Sequence, residues 1–348
     1  TVHLYAKWTA NYYTVTFSGN GAGVTGAMTD QSFVYDEAAK ALKANSFARA
    51  GYTFAGWNTK ADGSGKSYAD GEAVSNLAAG GNFVLYAMWT ANAYTVTLDD
   101  QGGDDGSGSV PAVYGSGLAT VTVPSRAGYN FGGYFDGKNG TGTRYYTADG
   151  MGAVSWNKAS DATLYAHWIQ GTFTIILDAN GGIVSPESKQ VTFGGTYGEL
   201  PAPSRVGYTF LGWFTDITEG TKVDSGTAVD IVEDQLLYAH WSANPYKVIF
   251  NGNGADVAGA MADQSFVYDE GTKALSANNF TRTGYTFDGW ATTAAGSKVY
   301  NDKESVGNLM TVKEGQYNLY AVWKANNYIV RFNGNTNTGG SMSNQSFT

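Results

Sequence analysis

Side chains able to act as acids, bases or ligands are few in this chain, and their placement argues against catalysis. His3, His167 and His240 are the only imidazoles, and cysteine is absent from the 348 residues. That removes a thiolate nucleophile, a disulfide framework and a thiolate zinc site. His167 and His240 fill the fourth position of a recurring Leu-Tyr-Ala-x-Trp stretch, which Lys7, Met88 and Val322 fill elsewhere. A general base required in every copy would not be exchanged so freely, so both read as ordinary strand residues. Asp99, Asp100, Asp104 and Asp105 form an acidic group of hard oxygen donors, the kind calcium takes. The group occurs in one copy of the repeat and lacks the alternating spacing of a calcium loop, so a solvated turn is the simpler expectation. Asp70, Asp149, Asp224 and Asp302 recur at uneven distances, as turn residues do, rather than as paired catalytic carboxylates. No nucleophile elbow or Walker loop is present. No catalytic residue and no cofactor are expected.

Arginine behaves differently. Arg49, Arg126, Arg205 and Arg282 each stand two residues before a Gly-Tyr pair. A side chain repeated at one slot is either a binding residue displayed along the array or a structural group. The neighbouring motif residues favour the second, with the guanidinium stacked on an aromatic ring or paired with a carboxylate.

The elements that hold these residues are set by repetition. Gly51 to Trp57 returns as Gly128 to Tyr134, Gly207 to Trp213 and Gly284 to Trp290, and the closing tryptophans Trp8, Trp89, Trp168, Trp241 and Trp323 lie 81, 79, 73 and 82 residues apart. The period divides the chain into the end of a preceding repeat (1–9), four whole repeats (10–90, 91–169, 170–242 and 243–324) and the start of another (325–348). Both ends thus fall inside a repeat, as in a piece of a longer protein. Each opening strand alternates, as in Tyr13, Val15 and Phe17, which indicates one buried face. Asn20-Gly21, Asn180-Gly181 and Asn253-Gly254 then break the pattern with turn residues. A second strand is expected at Gln31 to Tyr35, Val110 to Tyr114, Gln190 to Phe193 and Gln264 to Tyr268. Residues 38–45 and 271–278 are assigned a short helix. The Gly-Tyr stretch reads as a third strand with a bulge at Gly56, and Leu-Tyr-Ala-x-Trp closes the unit. Four residues always follow the closing tryptophan before the next strand. A span of at most ~14 Å places neighbours in contact, and an invariant length predicts an invariant junction and a rod-like array.

Composition agrees with a folded β protein. Apolar residues make up 43% and charged ones 15%, with 47 glycines and 24 tyrosines; these suit turns and half-buried strands. The net charge of −9 and the lack of a basic face exclude nucleic acid and polybasic membrane docking. No run is long and apolar enough to span a membrane. Trp57, Trp213, Trp290, Trp89, Trp168, Trp241 and Trp323 are expected to serve as structural repeat residues, committed mostly to the core.

Three ordered signatures, Tyr-x-Val-x-Phe with Asn-Gly, Arg-x-Gly-Tyr-x-Phe-x-Gly-Trp and Leu-Tyr-Ala-x-Trp, resemble the Listeria-Bacteroides repeat family, which includes the B-repeats of internalins. The resemblance covers the whole chain. It implies tandem β-grasp-like units, a mostly β or α+β fold, and residence in large bacterial surface proteins between a head and an anchor. The expected role is a non-enzymatic stalk whose partners are the neighbouring repeats. The alternative is an adhesive module that binds a host protein, a glycan or other copies of itself through open strand edges. The second repeat departs most, with Tyr134 in the tryptophan slot and Asp99-Asp100-Gln101 before its glycines.

Overall fold

A computed structural model describes residues 1–254, 256–336 and 338–348. The chain forms two compact units, Thr1–Gly171 and Thr172–Thr348, each built around two large sheets of one common plan and carrying smaller two-stranded pairings besides. In the first sheet the opening strand Tyr12–Ser18 pairs antiparallel with Gln31–Val34 and parallel with the closing strand Gly81–Ala91. The closing strand pairs antiparallel with the third strand Tyr52–Asn58, whose far edge carries the two-residue strand Ser67–Tyr68. The second sheet repeats this order with Ser109–Val113, Ala93–Asp99, Ala162–Gln170, Tyr129–Phe135 and Arg144–Tyr146. In the second unit the strands Ser188–Thr192, Thr172–Asp178, Gln235–Ala243, Tyr208–Phe214 and Lys222–Val223 form one such sheet. Gln264–Val267, Pro245–Asn251, Gly315–Ala325 and Tyr285–Ala291 form the other. The mostly β class expected from the sequence is the class observed.

Alternation decides which face is buried. Tyr13, Val15 and Phe17 point into the first core beside Phe33, Leu85 and Ala87, and the other three cores use the same slots. Leu42 and Leu275 close the first and fourth cores at 3% and 2% exposure. The expected bulge lies in every third strand, at Gly56, Gly133, Gly212 and Gly289, where the register against the closing strand shifts. A β-carbon on Gly56 would stand 2.8 Å from the carbonyl oxygen of Tyr68, and its φ is +124°, so only glycine fits. The extra residue returns the following aromatic to the core side. Phe54 and Trp57 therefore meet edge to face with centroids 5.0 Å apart, and Phe54 also meets Trp89 at 5.7 Å.

The short helix assigned to 38–45 and 271–278 does not form. Those segments are extended: Lys40–Ala41 pairs with Ala73–Val74, and Lys273–Ala274 with Ser305–Val306. Tertiary partners outcompete a helix too short to nucleate itself. The Leu42 and Leu275 amides donate to the carbonyls of Glu72 and Glu304. The Gln31 side chain brackets the same segment, donating from Nε2 to Ala41 and accepting at Oε1 from the Lys43 amide, both at 2.8 Å. Gln264 does the same with Ala274 and Ser276. Among the described residues the one helical element is a 3₁₀ turn at Lys138–Gly140.

Candidate functional site: an arginine–tyrosine joint between repeats

Each Asn-Gly turn is fastened twice to the closing strand. Asn20, Asn180 and Asn253 take left-handed backbone angles and donate from Nδ2 to the carbonyls of Ala87, Ala239 and Ala321 at 3.0, 3.0 and 2.9 Å. The closing tryptophans Trp89, Trp168, Trp241 and Trp323 donate their indole N–H to Gly19, Asp100, Ala179 and Gly252, at 2.8, 2.8, 2.9 and 2.8 Å. The repeat arginine lies against this turn. Arg126 and Arg205 donate to the Gln101 and Asn180 carbonyls at 3.2 and 3.1 Å, while Arg282 pairs with Asp256 at 3.1 Å.

The flat face of each guanidinium covers the tyrosine three residues on. The Cζ-to-centroid distances are 3.9 Å for Arg49 over Tyr52, 4.2 Å for Arg126 over Tyr129, 3.8 Å for Arg205 over Tyr208 and 4.0 Å for Arg282 over Tyr285. A planar cation over a ring is a stable, weakly hydrated contact. It fixes the tyrosine at the end of its repeat.

In the first unit that tyrosine meets the next repeat. Tyr114, at the end of the second strand of repeat two, stands edge to face with Tyr52, centroids 5.4 Å apart. Its ring also lies flat on the backbone of Gly51, where a β-carbon would come within 2.3 Å of it. Asn92, in the four-residue linker, knits the two together. Its amide donates to Gly51 at 2.9 Å, its carbonyl accepts from the Tyr114 amide at 2.9 Å, and its Oδ1 accepts from the Thr53 hydroxyl at 2.6 Å.

The second unit contains the same joint, atom for atom. Tyr268 meets Tyr208 edge to face at 5.9 Å and covers Gly207 at the same 2.3 Å clearance. Asn244 bonds Gly207, Tyr268 and Thr209 in the same three ways. One contact is added: the Tyr208 hydroxyl donates to Asp269 at 2.9 Å, which holds its proton on and raises its pKa. In the first unit Gly115 occupies the place of Asp269.

The other expected residues fall as follows. Trp57, Trp213 and Trp290 are core residues at 0–3% exposure. The Trp213 indole donates to the Pro201 carbonyl at 3.0 Å. Where repeat two has Tyr134, its buried hydroxyl donates to Asp100, and burial followed by that carboxylate pushes its pKa far up. Asp100 replaces the Gly19, Ala179 and Gly252 of the other repeats, so the smaller ring and the larger turn residue complement one another. The acidic group therefore diverges in its duties. Asp99 accepts from the side chain and then the backbone amide of Gln101, which lower its pKa, and Asp104 exchanges backbone bonds with Ser125. Among the described residues no three His, Cys, Asp or Glu side chains gather as metal ligands would. His167 packs edge to face on Phe135, and His240 stacks on Phe214 at 3.9 Å with Nε2 placed 2.8 Å from the Asp216 carbonyl.

Sequence reasoning located the arginine and the constant linker but missed the linker asparagine. Its signal was present: Ala-Asn recurs at Ala10-Asn11, Ala91-Asn92, Ala243-Asn244 and Ala325-Asn326.

Among known proteins, the chain is 31% identical over 329 residues to a protein of Evansella cellulosilytica designated a membrane protein, covering 93% of this chain and 45% of that relative. A second protein of that organism, designated a Gly-rich membrane protein, is 29% identical over 351 residues, covering 98% and 36%. Internalin H of Listeria monocytogenes is 33% identical over 153 residues, covering 44% and 26%. The chain thus spans less than half the length of each of these relatives. No helix among the described residues is long and apolar enough to cross a membrane. The Listeria-Bacteroides repeat domain matches residues 13–88, 94–167, 173–240 and 246–322, and with the closing tryptophan tied to the turn in all four copies, the chain belongs to the Listeria-Bacteroides repeat family.

Proposed function

We propose that the chain is a non-enzymatic spacer segment of a bacterial surface protein, in which β-grasp-like units are coupled through arginine–tyrosine joints into a semi-rigid stalk. The observation that carries this reading is the joint itself, present with the same atoms between repeats one and two and between repeats three and four. A ring laid on a glycine backbone, with a linker asparagine bonded to both sides, leaves little room for rotation. Flexible tethering would need none of these residues. Support for the location comes from the membrane-protein designations of two relatives and from the internalin. Small-angle scattering of the chain and of its Tyr114→Ala/Tyr268→Ala variant tests the coupling. The variant is expected to show a broader, shorter distance distribution, and identical curves would refute the reading.

A further inference from the structure

Six Asn-Gly pairs occur in the chain, at Asn20, Asn139, Asn180, Asn251, Asn253 and Asn333. A glycine after asparagine leaves its amide nitrogen unshielded, so at such a pair the backbone can attack the asparagine side chain. How that side chain is held decides whether it does. Five are tied. Asn20, Asn180, Asn251 and Asn253 donate from Nδ2 to strand or turn carbonyls at 2.8 to 3.2 Å, and the Asn333 Oδ1 accepts from the Asn335 amide at 3.2 Å. Asn139 differs. It is exposed within the Lys138–Gly140 turn with a φ of 57°, and among the described residues its side chain has no hydrogen-bond partner.

The glycine that follows Asn139 has a base against it. The His167 ring sits between the backbones of Gly132 and Gly140: a β-carbon would stand 2.9 Å from its Cδ2 at the first and 2.7 Å from its Nδ1 at the second. The other repeats carry Ala55, Leu211 and Asp288 where repeat two has Gly132, so this space is particular to repeat two. Phe135 holds the ring from the side, centroids 5.7 Å apart, and neither ring nitrogen has a hydrogen-bond partner among the described residues. Imidazole takes and releases protons near neutral pH, directly or through one water. We infer that Asn139 is a self-modification site, where the chain converts its own asparagine to aspartate and isoaspartate with His167 as the base. His167 takes the proton of the Gly140 amide, and that nitrogen bonds to the Asn139 Cγ. The Cγ–Nδ2 bond breaks and ammonia leaves with the proton returned by the imidazolium, which closes a succinimide ring. One water then opens the ring, giving aspartate by attack at the Cγ carbonyl and isoaspartate by attack at the backbone carbonyl. Isoaspartate adds a methylene to the backbone and a carboxylate to the turn that Asp136 fastens, where Oδ1 accepts the Thr143 amide at 2.7 Å and Oδ2 pairs with Lys158 at 2.8 Å. Repeat two thereby keeps a slow, one-way record of the age of the molecule, and its hairpin at 136–143 loosens as the record forms.

Incubation of the full chain in neutral buffer tests this, with peptides mapped by mass spectrometry and isoaspartate read by methylation with an isoaspartyl methyltransferase. Isoaspartate is expected at residue 139 before any other of the six pairs. His167→Val places in repeat two the valine that repeat four carries as Val322, so the strand keeps its residue type while the base is lost. That variant should slow the conversion at 139 by about a hundredfold, the low end for a positioned base, and leave the rates at the other pairs unchanged. A residue 139 that converts no faster than the tied pairs, or no slower in His167→Val, overturns the inference.

Discussion

Three glycines permit a controlled measurement of the joint. Gly51, Gly207 and Gly284 are equivalent, with φ of +79°, +81° and +77°. Alanine at any of them costs about 1–2 kcal/mol for holding an L residue in the left-handed region. At Gly284 that is the whole cost, because the new methyl meets nothing within 4 Å. At Gly207 the methyl would stand 2.3 Å from the Tyr268 ring, far inside the ~3.5–4.0 Å of ordinary carbon contact. The ring must swing off, which forfeits an edge-to-face pair of roughly 0.5–1.5 kcal/mol. It also strains the Tyr268 amide bond to Asn244, a further ~1 kcal/mol. Gly207→Ala should therefore cost about 2.5–4.5 kcal/mol against about 1–2 kcal/mol for Gly284→Ala, though both lie in the unit Thr172–Thr348. Hydrogen exchange read by mass spectrometry is the suitable assay, since several coupled sheets need not unfold in one step. The amides of Asn244 and Tyr268 should lose protection in Gly207→Ala and keep it in Gly284→Ala. Equal losses in the two variants would mean that the ring on the glycine contributes nothing and would refute the reasoning.

Other outcomes follow from the same contacts. Arg205→Ala should lower the stability of its repeat by about 1–2 kcal/mol, from the lost ring contact and the bond to Asn180; an unchanged melting curve would show the arginine to be dispensable. Asp100→Gly and Tyr134→Trp should each destabilise repeat two alone yet offset one another when combined, a coupling that a double-mutant cycle reads directly. Calcium should leave the melting temperature unchanged, because Asp100 and Asp99 are engaged by Tyr134 and the Gln101 amide; a rise would restore the metal reading. Burial, then the Tyr317 hydroxyl, raises the Tyr300 pKa to about 12. A raised folded value means that the stabilisation is complete below the ordinary tyrosine pKa near 10 and is lost as pH climbs through about 12. Tyrosinate absorbance should therefore show Tyr300→Phe removing part of the alkaline destabilisation of repeat four.

Period and alternation were enough to place the strands, because burial of one sheet face writes itself into the chain every second residue. Tyr13, Val15 and Phe17 lie where that pattern put them, and the glycine before each third-strand aromatic marks a bulge as read. The constant linker carries the same asparagine joint at Asn92 and at Asn244. The segments at 38–45 and 271–278 misled, because their local composition tolerates a helix while their hydrogen bonds go to Glu72, Glu304 and the glutamine side chains, all remote in sequence.

The sequence by itself determined the repeat, the mostly β class and the slots that every unit must fill. What a slot does depends on neighbours brought together by the fold. Only the tertiary structure decided that the repeated arginine holds a tyrosine for the next repeat and that Asn92 and Asn244 join the two sides. Only there did Asp100 become the partner of a buried tyrosine. Periodicity records which side of a strand is buried; it carries no record of which residue, dozens of positions away, arrives to cover it.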